Sequence, residues 1–235
     1  MDVYLVDPAD VSAGTLTVRG DEAHHMLRVA RHAEGDRVQV TDAAGCMYLV
    51  RIVSATRDTA ACEIIETHRG WNESPDRITV AAAMLRNPGR MDWLIEKCTE
   101  LGTAGVQPLV TERTVARAAK TARWRQLALA ATKQCGRSCV PRIDEPIALA
   151  ELPLRAGDAQ LLVCHESAAP HETIAALRAT LADPCSVVVA IGPEGGFSDA
   201  EIALLSAAGA RIVSLGARRL RAETAAVTAL ARLVT

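Results

Sequence analysis

The run Ser186-Val-Val-Val-Ala-Ile191 passes directly into Gly192-Pro193-Glu194-Gly195-Gly196, and Ser198 with Glu201 then opens a helix. An apolar, β-branched run with no polar alternation reads as a strand buried on both faces of a parallel sheet. Ser198 and Glu201 form a capping box, flanked by Phe197 and Ile202 at the hydrophobic-staple positions, so the helix start is well defined. Open sheets of this kind bind ligands outside the carboxyl ends of their strands, which is where the glycine loop falls. Glycines there permit positive φ and close backbone approach, and Pro193 stiffens the loop. The loop lacks the Gly-Lys-Ser/Thr of a P-loop and the G-x-G-x-x-G spacing of a dinucleotide fold. It reads as a tight turn or as a site for a ligand without a polyphosphate.

Further apolar β-rich runs at 78–84, 106–110, 160–164 and 211–215 alternate with helical segments, the pattern of a parallel α/β sheet. A helix over 90–101 places Met91, Leu94, Ile95, Cys98 and Leu101 on one face and stops at Gly102, and another runs over 121–135 with Trp124, Leu127, Ala128 and Ala131 inward. By pattern alone this part is an unknotted doubly wound sheet. Upstream, short strands at 3–6, 15–18, 37–41, 46–55 and 60–67, with a hairpin turn at Asp42-Ala-Ala-Gly45, predict a small β-barrel interrupted by a helical piece over 21–31. The predicted organisation is a barrel over 1–70, a linker over 71–76 containing the breakers Asn72, Ser74 and Pro75, and an α/β domain over 77–235. Aromatics are only 3% of the chain, so packing in both parts must rest on Ala, Val, Leu and Ile.

Charge is unevenly distributed. The formal net charge is −2, yet 113–142 carries eight Lys or Arg (Arg113, Arg117, Lys120, Arg123, Arg125, Lys133, Arg137, Arg142) and no acid. This stretch is either a polyanion contact or a solvated helix face. A second cluster, Arg218-Arg219-Leu220-Arg221, stands before the last helix, where the helix dipole disfavours cations; that conflict points to function. Seven scattered cysteines form no disulfide framework, and Cys135 and Cys139 have no partnering Cys/His pair, so no metal is expected. The N-terminus MDVYLVDPAD lacks a signal-type apolar core, and no run is long enough to span a bilayer; a cytoplasmic protein with no membrane partner is expected.

Residues 191–202 (IGPEGGFSDAEI) with 215–226 (LGARRLRAETAA) resemble the paired C-terminal motifs of the RsmE family, the SPOUT-class methyltransferases that act on N3 of a uridine in 16S rRNA. Glu96-Lys-Cys-Thr-Glu-Leu-Gly102, Thr111-Glu-Arg-Thr114, Lys133-Gln-Cys-Gly-Arg137 and His24-His-Met-Leu-Arg28 extend the resemblance across the chain. It implies a PUA-like N-terminal barrel, a C-terminal α/β domain tied in a deep trefoil knot, and a homodimer formed through the knot region with the final helix, 223–233, at or near the interface. It also implies S-adenosyl-L-methionine bound among three loops: Cys164, His165 and Glu166; Ile191, Gly192, Pro193, Gly195 and Gly196; and Leu215, Gly216, Leu220, Thr224 and Ala225. The substrate would be 16S rRNA or the assembled small ribosomal subunit, contacted through His25, Arg28, Arg31, Arg113 and Arg137, with the target uridine unpaired or flipped out. Uracil N3 is a protonated imide nitrogen, so methylation needs a base or a cation that stabilises the anion. Arg221 suits the cation, and Glu223 or Glu194 the proton acceptor or the orienting group; Glu194 is equally a structural acceptor within its loop. Arg137 and His165 are weaker catalytic candidates. The chain departs from the family pattern at Arg86-Asn87-Pro88, where a lysine is usual, and at Ala217 and Arg219, where proline and isoleucine are usual. A non-catalytic RNA-binding protein of the same fold, or an enzyme of this class acting on another RNA, are the alternatives; Gly195, Gly196, Arg221 and Glu223 weigh against the former.

Overall fold

The computed structural model describes residues 2–115 and 118–234, which leaves Arg117 of the basic stretch outside the described residues. The chain divides into two compact units, Met1–Glu73 with Leu129–Val140, and Ser74–Ala128 with Pro141–Thr235.

The first unit is a barrel-like, six-stranded sheet of β1 (Val3–Leu5), β2 (Val11–Ser12), β3 (Thr15–Arg19), β4 (Arg37–Thr41), β5 (Cys46–Ala55) and β6 (Thr59–Arg69), in the order β1-β4-β5-β6-β3-β2. All pairings are antiparallel except β1 with β4. Alternate residues of these strands, among them Leu16, Val18, Val38, Val40, Val50 and Ile52, form one core with Tyr4, Ala23 and Met26. The β4–β5 turn follows from its residues: Asp42 Oδ1 accepts the Ala44 and Cys46 amides at 2.9 Å, and Gly45 takes φ +129°. The predicted helical piece is α1 (Gly20–His24) running into a π-helical turn, His25–Val29, a departure from regular winding that no propensity foretells.

Residues 129–140 close on this sheet although they follow much of the second unit in sequence. Gly45 N donates to Ser138 O at 3.0 Å and Val140 N to Ala43 O at 3.0 Å, and Lys133 pairs with Glu22. Arg137, 4% exposed, holds Glu73 through Nη2 at 2.6 Å and Nε at 3.1 Å, while Glu73 Oε1 also accepts the Ser138 and Cys139 amides. The Arg137 guanidinium, one of the expected RNA contacts, is thus engaged with a carboxylate inside this unit.

The second unit is an all-parallel sheet of β7 (Arg77–Ala83), β8 (Gly105–Val110), β9 (Arg142–Ile143), β10 (Ile147–Ala148), β11 (Gln160–Cys164), β12 (Ser186–Ile191) and β13 (Arg211–Val213). Its order is β10-β8-β7-β12-β11-β13, with β9 also on β8. The central strands are apolar on both faces, as the run 186–191 predicts: Val187 to Ile191 are all buried. α2 (Pro88–Glu100), α3 (Thr121–Cys135), α4 (Leu152–Ala156), α5 (Ile174–Arg178), α6 (Asp199–Ala207) and α7 (Ala222–Leu233) make the crossovers and the end of the chain. α6 carries the full capping box, with Ser198 N on Glu201 Oε2 at 2.8 Å and Glu201 N on Ser198 Oγ at 3.3 Å. α2 begins at an Asn87 N-cap with Pro88 in its first turn, earlier than expected. α7 does not remain beside edge strand β13. It returns to the middle of the sheet, packing on α2, α5, β7 and β12 through Ala226, Ala229, Leu230 and Leu233. Among the described residues no helix is long and apolar enough to cross a membrane.

Arg137→Ala should destabilise the protein by about 3–5 kcal/mol in urea unfolding, because it leaves Glu73 with an uncompensated charge in a largely buried setting. A loss under about 1 kcal/mol would show that the pair is not structural.

Candidate functional site

Parallel register sets the level at which the sheet ends. Cys164 lies beside Ile191 and Val213, and Ile191 beside Ala82. The loops 84–87, 165–173, 192–198 and 214–221 therefore leave from one edge. The chain leads from β7 outward to β8 on one side and from β12 across β11 to β13 on the other, so the point of reversal lies between β7 and β12. That is where a crevice forms in open α/β sheets.

The 192–198 loop is tight and held from outside. Gly196 N donates to Pro193 O at 2.9 Å, and Gly196 sits at φ +71°. A Cβ on Gly192 would lie 3.2 Å from Phe197 N and 3.4 Å from Gly196 C, so a side chain there would press on the loop where it folds back on itself. Gly195 is different: a Cβ would meet only the Arg113 side chain, at ordinary van der Waals distance. Its lack of a side chain is not demanded by the protein's own packing, which leaves its surface for a ligand. Arg113 Nη1 donates to Gly195 O at 2.8 Å and Phe197 O at 3.3 Å, the Arg86 amide donates to Glu194 Oε1 at 3.2 Å, and the Glu112 amide donates to Glu201 Oε1 at 2.8 Å. The loops after β7 and β8 thus brace the glycine loop. Arg113, expected to contact RNA, is exposed but has its guanidinium engaged with this backbone.

In the 165–173 loop, His165 N donates to Val213 O at 3.2 Å, tying β11 to β13. His165 Nδ1 accepts the Ser167 amide at 3.2 Å and lies 2.8 Å from Ser167 Oγ, which places the proton of the neutral ring on Nε2. Burial pushes the Cys164 thiol up to about 12, with Arg232 opposing, so it remains a neutral, unreactive thiol at physiological pH. Glu166 is exposed.

The 214–221 loop is anchored where it starts. Ser214 N donates to Glu172 O at 2.7 Å, Gly216 at φ +110° donates to Ser214 Oγ at 3.1 Å, and Arg232 Nη1 donates to Leu215 O at 3.2 Å. Leu215 and Leu220 are half-buried, while Arg218, Arg219 and Arg221 are exposed. Arg221 is the N-cap residue of α7, its carbonyl accepting the Ala225 amide at 2.8 Å. Glu223, in the first turn, is 8% exposed. Its Oε1 lies 3.6 Å from Arg90 Nε, and its Oε2 has no hydrogen-bond partner among the described residues. Thr224 is exposed and Ala225 half-buried.

His25, Arg28 and Arg31 stand exposed on the first unit, around the π-helical turn, with Arg31 at φ +63° and the His25 ring edge-on to Tyr4 at 5.8 Å. Arg86 and Arg90 were the two residues to which the role of the family's usual lysine could pass; what sequence reasoning missed was the pairing of Arg90 with Glu223, and the part played by Arg232. Only the start of α2 had a readable signal, the Asn87-Pro88 cap pair.

A chain with one barrel-like sheet and one parallel sheet, the latter with braced loops at its point of reversal, matches known proteins over nearly its whole length. Residues 72–234 match the RNA methyltransferase domain model and 18–65 the RNA methyltransferase PUA domain model, and the chain belongs to this RNA methyltransferase family. It is 33% identical to the ribosomal RNA small subunit methyltransferase E of Synechocystis over 97% of this chain and 76% of the relative. The protein of the same name from Bacillus subtilis is 29% identical over 94% and 90%. A crystal structure of the Neisseria gonorrhoeae ribosomal RNA small subunit methyltransferase E bound to S-adenosyl methionine superposes with a TM-score of 0.83 at 30% identity, covering 98% of this chain and 95% of that one.

The loop geometry separates its glycines. Gly192→Ala should cost about 1–3 kcal/mol in urea unfolding as the loop is wedged apart, whereas Gly195→Ala should stay within about 0.5 kcal/mol. Equal costs, or the reverse order, would contradict the packing described.

Proposed function

We propose that this chain uses S-adenosyl-L-methionine to methylate N3 of a specific uridine in 16S rRNA of the small ribosomal subunit. The observation that carries this reading is the braced glycine loop at the sheet's point of reversal, in a chain that matches ribosomal RNA small subunit methyltransferase E over nearly its whole length. The residues fit the cofactor. Gly195 offers backbone unencumbered by side chain, Leu215 and Leu220 offer half-buried apolar surface for an adenine, and polyphosphate-binding features are absent from the loop. Cys164, His165, Glu166, Ile191, Gly192, Pro193, Gly196, Gly216, Thr224 and Ala225 complete the lining. When bound, S-adenosyl-L-methionine supplies an electrophilic methyl on a sulfonium.

What the chain must supply is an N3 nitrogen free of its proton and held in line. Arg221, exposed beside the loop, suits the stabilisation of negative charge spread over the uracil carbonyls as the N3 proton leaves. Glu223 has an unpartnered Oε2 and is oriented by Arg90 through Oε1, which suits a proton acceptor or an orienting group for Arg221. Glu194, whose Oε1 is spent on the Arg86 amide, serves to shape the loop. His25, Arg28 and Arg31 suit the RNA backbone, and the uridine must be unpaired or extruded for N3 to be reached. The return of α7 to mid-sheet supports the trefoil-knotted path. Trp93, 41% exposed on α2 next to α7, is the kind of ring that a homodimer interface would cover. A cytoplasmic location follows from this substrate.

The test is to incubate the protein with methyl-labelled S-adenosyl-L-methionine and either assembled small subunits or naked 16S rRNA, then identify the modified nucleoside by mass spectrometry. N3-methyluridine is expected, falling by about 10²-fold in rate for Arg221→Ala. Absence of label in both substrates would overturn the reading, and an unchanged rate would remove Arg221 from the mechanism.

A further inference from the structure

In the first unit, the turn over residues 70–73 holds an indole in solvent. Gly70 at φ +63° and Asn72 at φ +56° reverse the chain after β6, and Trp71 between them is 36% exposed. The turn is fixed from several sides. Gly70 N donates to Gly45 O at 2.9 Å, Ser138 N to Trp71 O at 3.2 Å and Asn72 Nδ2 to Gly136 O at 3.0 Å. The next residue, Glu73, is the carboxylate held by Arg137. The end of β6 completes the feature. The His68 ring lies 4.8 Å from the indole, tilted by 45°, and its Nε2 is 3.0 Å from Glu66 Oε2, which steadies the imidazole. Arg69 is exposed, with no ion-pair partner among the described residues.

The imidazole covers part of the indole and leaves the rest open to a second ring. Because backbone hydrogen bonds and His68 already hold the indole, little conformational freedom is lost when a flat partner settles on it. A nucleobase is such a partner, since every base presents a π face and stacks on Trp or His with little regard to sequence. Only an unpaired base offers that face, because a duplex stacks it between neighbouring pairs. Arg69, two residues from the indole, supplies a cation for the phosphates of the same strand. An acidic peptide would use Arg69 and not the ring, and an aliphatic surface would use the ring and leave Arg69 idle. We infer that Trp71, backed by His68, is a stacking site for an unpaired base of the RNA substrate other than the target uridine, with Arg69 on the adjoining backbone. A different base is meant because the target must meet groups of the second unit. The inference rests on the proposed action on RNA. It adds what the cations Arg28 and Arg31 do not provide, a contact that tells single-stranded RNA from duplex.

The test uses the full chain without methyl donor, and two probes: single-stranded oligoadenylate and a blunt RNA duplex of the same length. Oligoadenylate is expected to quench tryptophan emission, and that quench to disappear in Trp71→Phe, which still stacks and binds within about threefold of the native chain. Trp71→Ala should weaken single-strand binding about tenfold and leave duplex binding within about twofold. Arg69→Ala should lower the slope of log K against log salt by about 1 on the single strand. Emission unchanged by oligoadenylate, a quench that persists in Trp71→Phe, or an equal loss on both probes in Trp71→Ala overturns the assignment. So does emission that responds to a polyproline peptide and not to oligoadenylate, which would give the ring to a protein partner. Trp71→Phe keeps a ring on the turn, so it decides the matter even where Trp71→Ala fails to fold. None of these readouts involves methyl transfer: their failure leaves the methylation standing, and a chain that binds as described yet methylates no RNA fails the proposed function alone.

Discussion

Everything at the site depends on parallel register in the middle of the second sheet. Because Cys164, Ile191 and Ala82 lie side by side, the loops after β11, β12 and β7 begin at one level and must share the same space. A one-residue slip of β12 would exchange its side chains between the two covered faces and carry the glycine loop away from Arg86. Close packing opposes that slip, because each site on the two faces is filled by a side chain of a particular size and a slip would put Ala190 and Ile191 in each other's kind of place. The site's precision is therefore a consequence of the core.

Charge is used in two distinct ways. Arg137 and Arg178 are internal: the first holds Glu73, and the second reaches Asp76 at 3.0 Å and the Leu233 carbonyl at 3.1 Å, tying the start of the second unit to the end of α7. Arg113 and Arg232 donate to loop carbonyls and so determine loop shape. Arg86, Lys120 and Arg221 remain exposed. Within the basic stretch 113–142, cations engaged by the fold, such as Arg113 and Arg137, thus separate from one such as Lys120 that is exposed with no ion-pair partner among the described residues. Their difference lies in whether a carboxylate or a carbonyl is within reach, which is a property of the fold.

Much of this was legible in the chain. The strand 186–191, its glycine loop and the Ser198–Glu201 cap are local signals, and each stands where its chemistry requires. The hairpin at Asp42–Gly45 was equally local. What escaped were relations between distant residues. Nothing near Arg137 in sequence announces Glu73, nothing near Glu223 announces Arg90, and the short strands β9 and β10 are too brief to carry a period. The return of α7 to the sheet centre was equally invisible to pattern.

The central claim is that the methyl donor occupies the carboxyl edge of the sheet, and the structure offers a clear contrast. A separate cavity of about 360 Å³ lies at the opposite, amino edge, bounded by Gly157, Gln160, Cys185, Ser186 and Gly209. Hydrogen–deuterium exchange with and without S-adenosyl-L-methionine distinguishes the two most directly. Protection of the amides in 192–197 and 214–221, with 157–160 and 208–210 unchanged, is the result this account predicts. Protection confined to the amino-edge segments, or none in the glycine loop at saturating S-adenosyl-L-methionine, would contradict it.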